Sequence, residues 1–389
     1  MIYLDNASTT KPYPIVLDAM LHFLQENYAN PSSVYSMAQN VRSELENARA
    51  KVANALNADE HEIYFTSGGT EAINWAINSV IKTHATGHII TTNVEHHATL
   101  NLYKNIDKSI NKSYEITYLP VDSFGMVSAE AVYNAIKENT ILVDIILANN
   151  EIGSINPISE IAKIIQQKNI MYNKKIIFHT DAVAAAGHIA IDVQNLGIDM
   201  LSISAHKFYG PKGVGALFCR TGLPLSSFIY GGNQENGKRG GTENVAGIIG
   251  MGVALEAAML KIDKESLRLK KIKDNFINQI KEKIPDSVLN GHPTVCLPNN
   301  INISFKYIEG ESLIMILDSK DIIVSSGAAC ISGQLEPSHV LLAIKAKKEY
   351  INGTLRISLG SYNTEKDLEK LLEELPAIIE DLKIMSPQF

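Results

Sequence analysis

Cysteine is scarce in this 389-residue chain, which holds only Cys219, Cys296 and Cys330. None belongs to a CxxC pair or to a Cys/His cluster with zinc-site spacing, so the structural zinc classes are excluded. Three thiols in so long a chain also make a disulfide framework improbable. No apolar run reaches the roughly 18 residues that a membrane span needs. The N-terminus lacks a signal-peptide pattern, because Asp5 interrupts it almost at once. The expectation is a cytoplasmic protein with no membrane partner. Positive charge is not in excess either: 35 Lys and Arg stand against 42 Asp and Glu, for a net charge of −7. That gives no electrostatic reason to expect direct nucleic-acid binding. Internal repeats, low-complexity tracts and long Gly/Ser linkers are absent as well.

What remains is an ordinary globular composition, 45% hydrophobic and 20% charged, in a chain too long for one simple core. Short apolar strands alternate with amphipathic helices, which predicts an α/β fold with a mainly parallel sheet. Strands are expected at 62–66, 88–92, 114–119, 141–147, 175–180, 200–204 and 213–218. Helical patterns fill 34–56, 70–81 and 158–167. From Val245 to about Ile284 one almost uninterrupted helical stretch turns from Ala/Gly-rich to Lys/Glu-rich near Lys261, as a helix passing between two domains would. Strands at 300–305, 322–324 and 354–358 and helices at 311–317, 337–346 and 364–385 then predict a smaller C-terminal α/β domain.

Chemistry concentrates at Ser202-Ile203-Ser204-Ala205-His206-Lys207, where a lysine follows an apolar run and precedes the Gly210-Pro211-Lys212-Gly213 turn. A Schiff-base lysine needs neighbours and desolvation that remove its proton. Lys207 and Lys212 as plain loop lysines is the other reading of this motif alone. Upstream, a β-branched run ends in Asp181, a carboxylate placed to pair with a pyridinium nitrogen. Ser67-Gly68-Gly69-Thr70 follows a strand and opens a helix, a setting in which free N–H groups meet an anion. Taken alone, Thr70 reads rather as an N-cap, and the lysine segment downstream reverses that.

The ordered series Leu4-Asp5-Asn6-Ala7-Ser8-Thr9-Thr10, Ser67-Gly68-Gly69-Thr70-Glu71, Val94-Glu95-His96, Asn149-Asn150-Glu151, Asp181, Lys207, Arg239-Gly240-Gly241-Thr242-Glu243-Asn244, Ser326-Gly327-Ala328-Ala329-Cys330 and Leu355-Arg356-Ile357-Ser358 resembles the cysteine desulfurases. These are pyridoxal 5'-phosphate (PLP) enzymes of the class V aminotransferase group, and the resemblance runs from about residue 3 to about residue 370. It implies a PLP-dependent transferase of fold type I. The large PLP-binding domain, with a mainly parallel seven-stranded sheet, would span 15–258, and 1–14 with 259–389 would form the small domain carrying the cysteine loop. The resemblance assigns Gly69, Thr70, Ser204 and His206 to the cofactor phosphate, and Thr242 to the phosphate of the partner subunit in a homodimer. Asn150 would face the cofactor and the substrate, Asp181 the pyridine nitrogen, and His96 the ring face. Lys207 would hold the cofactor and act as base. Cys330 would take the sulfur of L-cysteine as a persulfide, leaving L-alanine, and pass it to an acceptor protein. Arg356 would clamp the substrate carboxylate, since a guanidinium binds a carboxylate through two parallel hydrogen bonds; a salt bridge at a domain interface is the alternative.

Two positions depart from the family pattern. Ala184 stands where a Gln usually donates to the cofactor's phenolic oxygen, and Ser361 stands where an arginine often follows Leu359-Gly360. The small, polar loop around Cys330 resembles the longer, mobile-loop subtype. Rival readings are another class V activity, selenocysteine lyase or aminotransferase, and a weakly active sulfur-relay scaffold.

Overall fold

The structure is a computed structural model and describes residues 1–108, 113–326 and 337–385. Its strands are β1 (Ile2–Tyr3), β2 (Ile63–Thr66), β3 (Gly87–Thr92), β4 (Tyr114–Leu119), β5 (Thr140–Asp144), β6 (Ile177–Asp181), β7 (Met200–Ser204), β8 (Gly215–Cys219), β9 (Ser287–Leu289), β10 (Asn300–Phe305), β11 (Ile322–Ile323) and β12 (Thr354–Ser358). Seven of them form one sheet in the order β2-β8-β7-β6-β5-β3-β4. β8 runs antiparallel to both of its neighbours and every other pairing is parallel. The mainly parallel seven-stranded sheet expected from the apolar runs is therefore present.

Side chains alternate across a strand, and here the alternation feeds two cores. Ile90, Val143, Phe178, Leu201 and Phe218 enter one apolar cluster with the helices Ser36–Leu56 and Val245–Met259. Their neighbours Ile89, Leu142, Ile177, Met200 and Leu217 enter another, built around Trp75 and Tyr103. Burial on both faces explains why these strands read as continuous hydrophobic runs. The carboxyl ends of adjacent β6 and β7 deliver Asp181 and Ser204 to one rim, where open α/β sheets bind ligands.

A separate core holds Leu4, Leu269, Phe276, Ile303, Phe305, Leu355 and Leu372. It lies on the antiparallel set β12-β10-β9 and on β1, which pairs in parallel with β11 through Ile2↔Ile322. The N-terminal segment is stitched to these late strands again at Asp5↔Ser358.

Two helical expectations are corrected. The stretch read as one helix from Val245 to Ile284 is two, Val245–Met259 and Ile262–Lys283, bent by 69°. The first is buried nearly all round, with Gly252 so near Ala48 that a Cβ would come within 3.0 Å of it. The second buries one face only, through Leu269, Ile272, Phe276 and Ile280. The change in composition near Lys261 thus marks a break rather than a continuous rod. Among the described residues no single helix is long and apolar enough to cross a membrane. The helix expected at 337–346 covers only His339–Ala343. Ser338 caps its start through Val340 and Leu341 N–H, and Lys345 leaves it with a φ of +57°.

Candidate active site

Lys207 ends a single 3₁₀ turn, Ala205–Lys207, that leaves β7 directly. The turn is held tight because the N–H groups of Phe208 and Gly210 both donate to the Ala205 carbonyl, and a side chain at 210 would collide with Ala205. The lysine points back at the N-terminal segment, where its Nζ donates to the carbonyls of Ala7 at 2.6 Å and Ser8 at 2.8 Å. Burial, and then the Arg356 charge, lower its pKa to about 8, against the pull of Asp5 and Asp181.

Asp181 closes β6 and lies opposite Ser202 of β7. Its carboxylate is buried and accepts one hydrogen bond, from Val183 N–H at 2.8 Å. Burial raises its pKa to about 6. Under it runs a buried chain: Tyr103 Oη donates to Asp144 at 2.7 Å, Asp144 meets His179 Nδ1 at 2.7 Å, and His179 Nε2 meets Ser202 Oγ at 2.9 Å. His179 sits two residues before Asp181, on the same face of β6, and its charge lowers the Asp181 pKa against the effect of burial. This support was missed from sequence, although His179 and Asp181 at alternate positions of one strand were a visible signal.

The helix Gly69–Lys82 opens straight after β2 with Gly68 as its N-cap and no side chain satisfying its first N–H groups. That removes the N-cap reading of Thr70, which lies inside the helix and is exposed. A Cβ on Gly69 would lie 2.6 Å from Val183, and one on Gly215 would lie 2.8 Å from the Gly68 backbone. Glycine at both places lets the loop rest on the ends of β6, β7 and β8. Ser204 lines the same corner, 3.8 Å from the position of a Gly68 Cβ. His206 meets Thr9 Oγ1 at 3.3 Å, and burial with the neighbouring Lys207 and Lys212 lowers its pKa to about 4. Thr242 is exposed on the loop after Arg239, and Arg239 itself pairs with Glu71 of the helix Gly69–Lys82 at 2.9 Å.

His96 caps the helix His97–Asp107, its Nδ1 accepting from Ala98 N–H at 3.1 Å. The neutral ring therefore carries its proton on Nε2. Desolvation, joined by the Lys207 charge and by His97, lowers its pKa to about 4, although one edge of the ring is open to solvent. His97 is half-buried, and its ring centroid lies 4.8 Å from that of His339.

Arg356 is buried on β12. Its guanidinium donates to Asp5 Oδ1 at 3.0 Å, to Ser8 Oγ at 2.7 Å and to the Asn150 carbonyl at 3.2 Å, while its buried Nε has no partner. Arg356 thus pairs with Asp5, a residue for which the sequence suggested no role. Asn150, Ala184, Lys207 and Leu297 line one narrow cleft, together with Asn6 and His188. His188 Nε2–H donates to the Lys207 carbonyl at 3.0 Å. Cys219 is buried at the end of β8, and burial pushes its thiol up to about 12. Cys330 lies outside the described residues.

A buried, singly bonded carboxylate, an amine held near neutrality and an uncapped glycine-opened helix make a donor set that fits pyridoxal phosphate: a pyridinium, an aldehyde and a phosphate each find a complement.

Comparison with known proteins agrees with that chemistry. The sequence pattern of the family described as "Aminotransferase class-V" matches residues 2–371. "Cysteine desulfurase IscS" of Methanosarcina thermophila is 48% identical over 388 residues, covering 99% of this chain and 94% of its own. The protein of the same name from Dictyoglomus turgidum is 50% identical over 388 residues, covering 99% and 96%. Among solved structures, a "NIFS-LIKE PROTEIN" superposes with a TM-score of 0.91 at 36% identity, over 98% of this chain and all of its own. "SspA in complex with cysteine" gives 0.80 at 32% identity, over 94% of this chain and 100% of its own.

Proposed function

The chain belongs to the class V aminotransferase family and to its cysteine desulfurases, and we propose how its own residues divide that reaction. The observation that carries the assignment is the pairing of Lys207 and Asp181 on adjacent strand ends, above the glycine-opened helix.

Gly69, Thr70, Ser204 and His206 hold the phosphate of pyridoxal phosphate, with Thr242 of the partner subunit completing the site in a homodimer. Asp181 would keep a proton on the ring nitrogen, and His96 would border the ring. When bound, the cofactor supplies an electron-accepting ring that stabilises a carbanion at the substrate α-carbon. Arg356 binds the carboxylate of L-cysteine through two hydrogen bonds in place of Asp5, and its unpartnered Nε is the free donor for that exchange. Asn150 borders the same substrate position. Lys207, with its pKa near 8, takes the α-proton as an amine. His96 commits Nδ1 to the Ala98 N–H, so its Nε2–H is a donor that steadies the substrate sulfur as the thiol proton passes to water. The Cys330 thiolate attacks that sulfur: an S–S bond forms, the C–S bond breaks, and protonation of the remaining fragment gives L-alanine. The persulfide on Cys330 then passes to an acceptor protein. Residues 15–258 form the large domain, and 1–14 with 259–389 the small one, a division supported by their separate cores.

The test is to load the chain with pyridoxal phosphate, reduce it with borohydride and map the modified peptide. The adduct is expected on Lys207, and an adduct on Lys212 overturns the assignment. The same preparation is expected to form L-alanine from L-cysteine. Alanine formation that survives Cys330→Ala would favour a lyase over a persulfide mechanism.

A further inference from the structure

Lys273 lies on the inner face of the helix Ile262–Lys283, among Leu269, Ile272 and Phe276, and is 3% exposed. Its Nζ donates to the Cys296 sulfur at 3.0 Å and to the Leu297 carbonyl at 2.9 Å. Among the described residues these are its polar partners, and neither is a carboxylate. The contact places an amine nitrogen within reach of the sulfur. The Cys296 side chain is partly exposed, so a small oxidant reaches it from solvent. The buried Cys219, whose thiol burial pushes up to about 12, has no such partner. Desulfuration as set out above uses neither Lys273 nor Cys296.

We propose that Lys273 and Cys296 form an oxidation site at which hydrogen peroxide creates a covalent S–N cross-link. It would join the helix Ile262–Lys283 to the segment leading into β10. In the first step the thiolate sulfur attacks a peroxide oxygen: an S–O bond forms, the O–O bond breaks and hydroxide leaves, so sulfur is oxidised by two electrons and peroxide is reduced. In the second the lysine amine attacks the sulfenic acid sulfur. An S–N bond forms, the S–O bond breaks and the oxygen departs as water, with no further change of oxidation state. In sum, thiolate, ammonium and one peroxide give the sulfenamide and two waters. The adjacent Leu297 lines the cleft that holds Lys207, so the cross-link sits one residue from that wall. It also draws Nζ away from the Leu297 carbonyl that it holds in the reduced chain.

The experiment exposes the cofactor-loaded protein to a few equivalents of hydrogen peroxide, blocks remaining thiols and digests with trypsin without reductant. The expected product is one peptide joining Lys273 to Cys296, about 2 Da lighter than its two parts, with cleavage after Lys273 lost. Dithiothreitol should restore both separate peptides. Lys273→Met is expected to remove the cross-link and let Cys296 advance to sulfinic acid, and Cys296→Ser to remove it entirely. Recovery of Cys296 in the unsubstituted protein as a free thiol, or only as sulfinic acid, overturns the proposal. So does a cross-link that persists in Lys273→Met. The readout is a mass rather than a turnover, so its failure is distinct from failure of the desulfurase assignment.

Discussion

Two lysines, the partly buried Lys207 and the buried Lys273, each rest their Nζ on a backbone carbonyl. Lys207 lies at the rim of the large sheet, facing Ala7 and Ser8 with Arg356 and Asp181 within electrostatic reach. Lys273 lies in the second core, facing one carbonyl and one sulfur. A hydrogen-bonded carbonyl stabilises an ammonium but accepts no proton from it. What makes one lysine reactive is therefore the rest of its surroundings: burial, and a second cation, push Lys207 towards the neutral amine. The sulfur beside Lys273 is instead a nucleophile in direct contact with the amine.

The largest effect that would sharpen this contrast is on turnover. Lys207→Ala is expected to lower desulfuration by at least ~10³-fold and to abolish the covalent cofactor band, with thermal stability retained. Lys273→Met should keep both the band and the turnover, and change stability by no more than about 2 kcal/mol in either direction, because an apolar chain of similar length fills the same place. Spectra, alanine assays and thermal melts of the two variants decide it; a Lys273→Met protein unable to bind cofactor would break the contrast.

The thiols divide in the same way. Cys330→Ser is expected to bind cofactor and L-cysteine yet accumulate no persulfide and form little alanine, while Cys296→Ser turns over normally. Persulfide labelling and alanine assays check this, and a normally active Cys330→Ser would place the nucleophile elsewhere.

A pH series tests the reactive lysine more finely. Cofactor capture needs the neutral amine, whose fraction rises with pH, so the capture rate should climb about tenfold per unit below pH 8 and level off above it. A rate still climbing towards pH 10 would mean that Lys207 behaves as an ordinary solvated lysine.

The smallest expected effect belongs to Ala184, which lines the Lys207 cleft without a donor group. Ala184→Gln should supply a hydrogen bond to the phenolic oxygen of the cofactor. At the ~1.5 kcal/mol of a bond to a charged group, the titration midpoint of the bound cofactor should fall by about one unit. Superimposable spectral titrations of the two proteins would mean that water already fills the role.

Much of this site was legible because local pattern and site coincide. A β-branched run ending in Asp181 is both a strand and the position of its carboxylate. Glycines after the strand at 63–66 mark both a turn and an anion site. The surroundings of Lys207 were not legible, since its acceptors are main-chain carbonyls about 200 positions away and a carbonyl has no residue signature. The break at Leu260 and Lys261 escaped for a different reason. Neither Gly nor Pro marks it, and the bend follows from packing one helix all round and the next on one face. The Lys273–Cys296 contact joins two residues that each look ordinary within their own segment.

The pairing of β1 with β11 also has a consequence for the order in which the chain is made. Ala7 and Ser8, which hold the reactive lysine, are made before the large sheet, yet their segment is anchored by Ile322–Ile323 and by Arg356 and Ser358, which are made long after it. The large sheet is complete in sequence by Cys219, so it can assemble while synthesis continues. The lysine's surroundings cannot, and a truncated or stalled chain carries Lys207 without the carbonyls, the guanidinium or the carboxylate that set its charge. Translation must run past Arg356 before this protein owns a reactive amine.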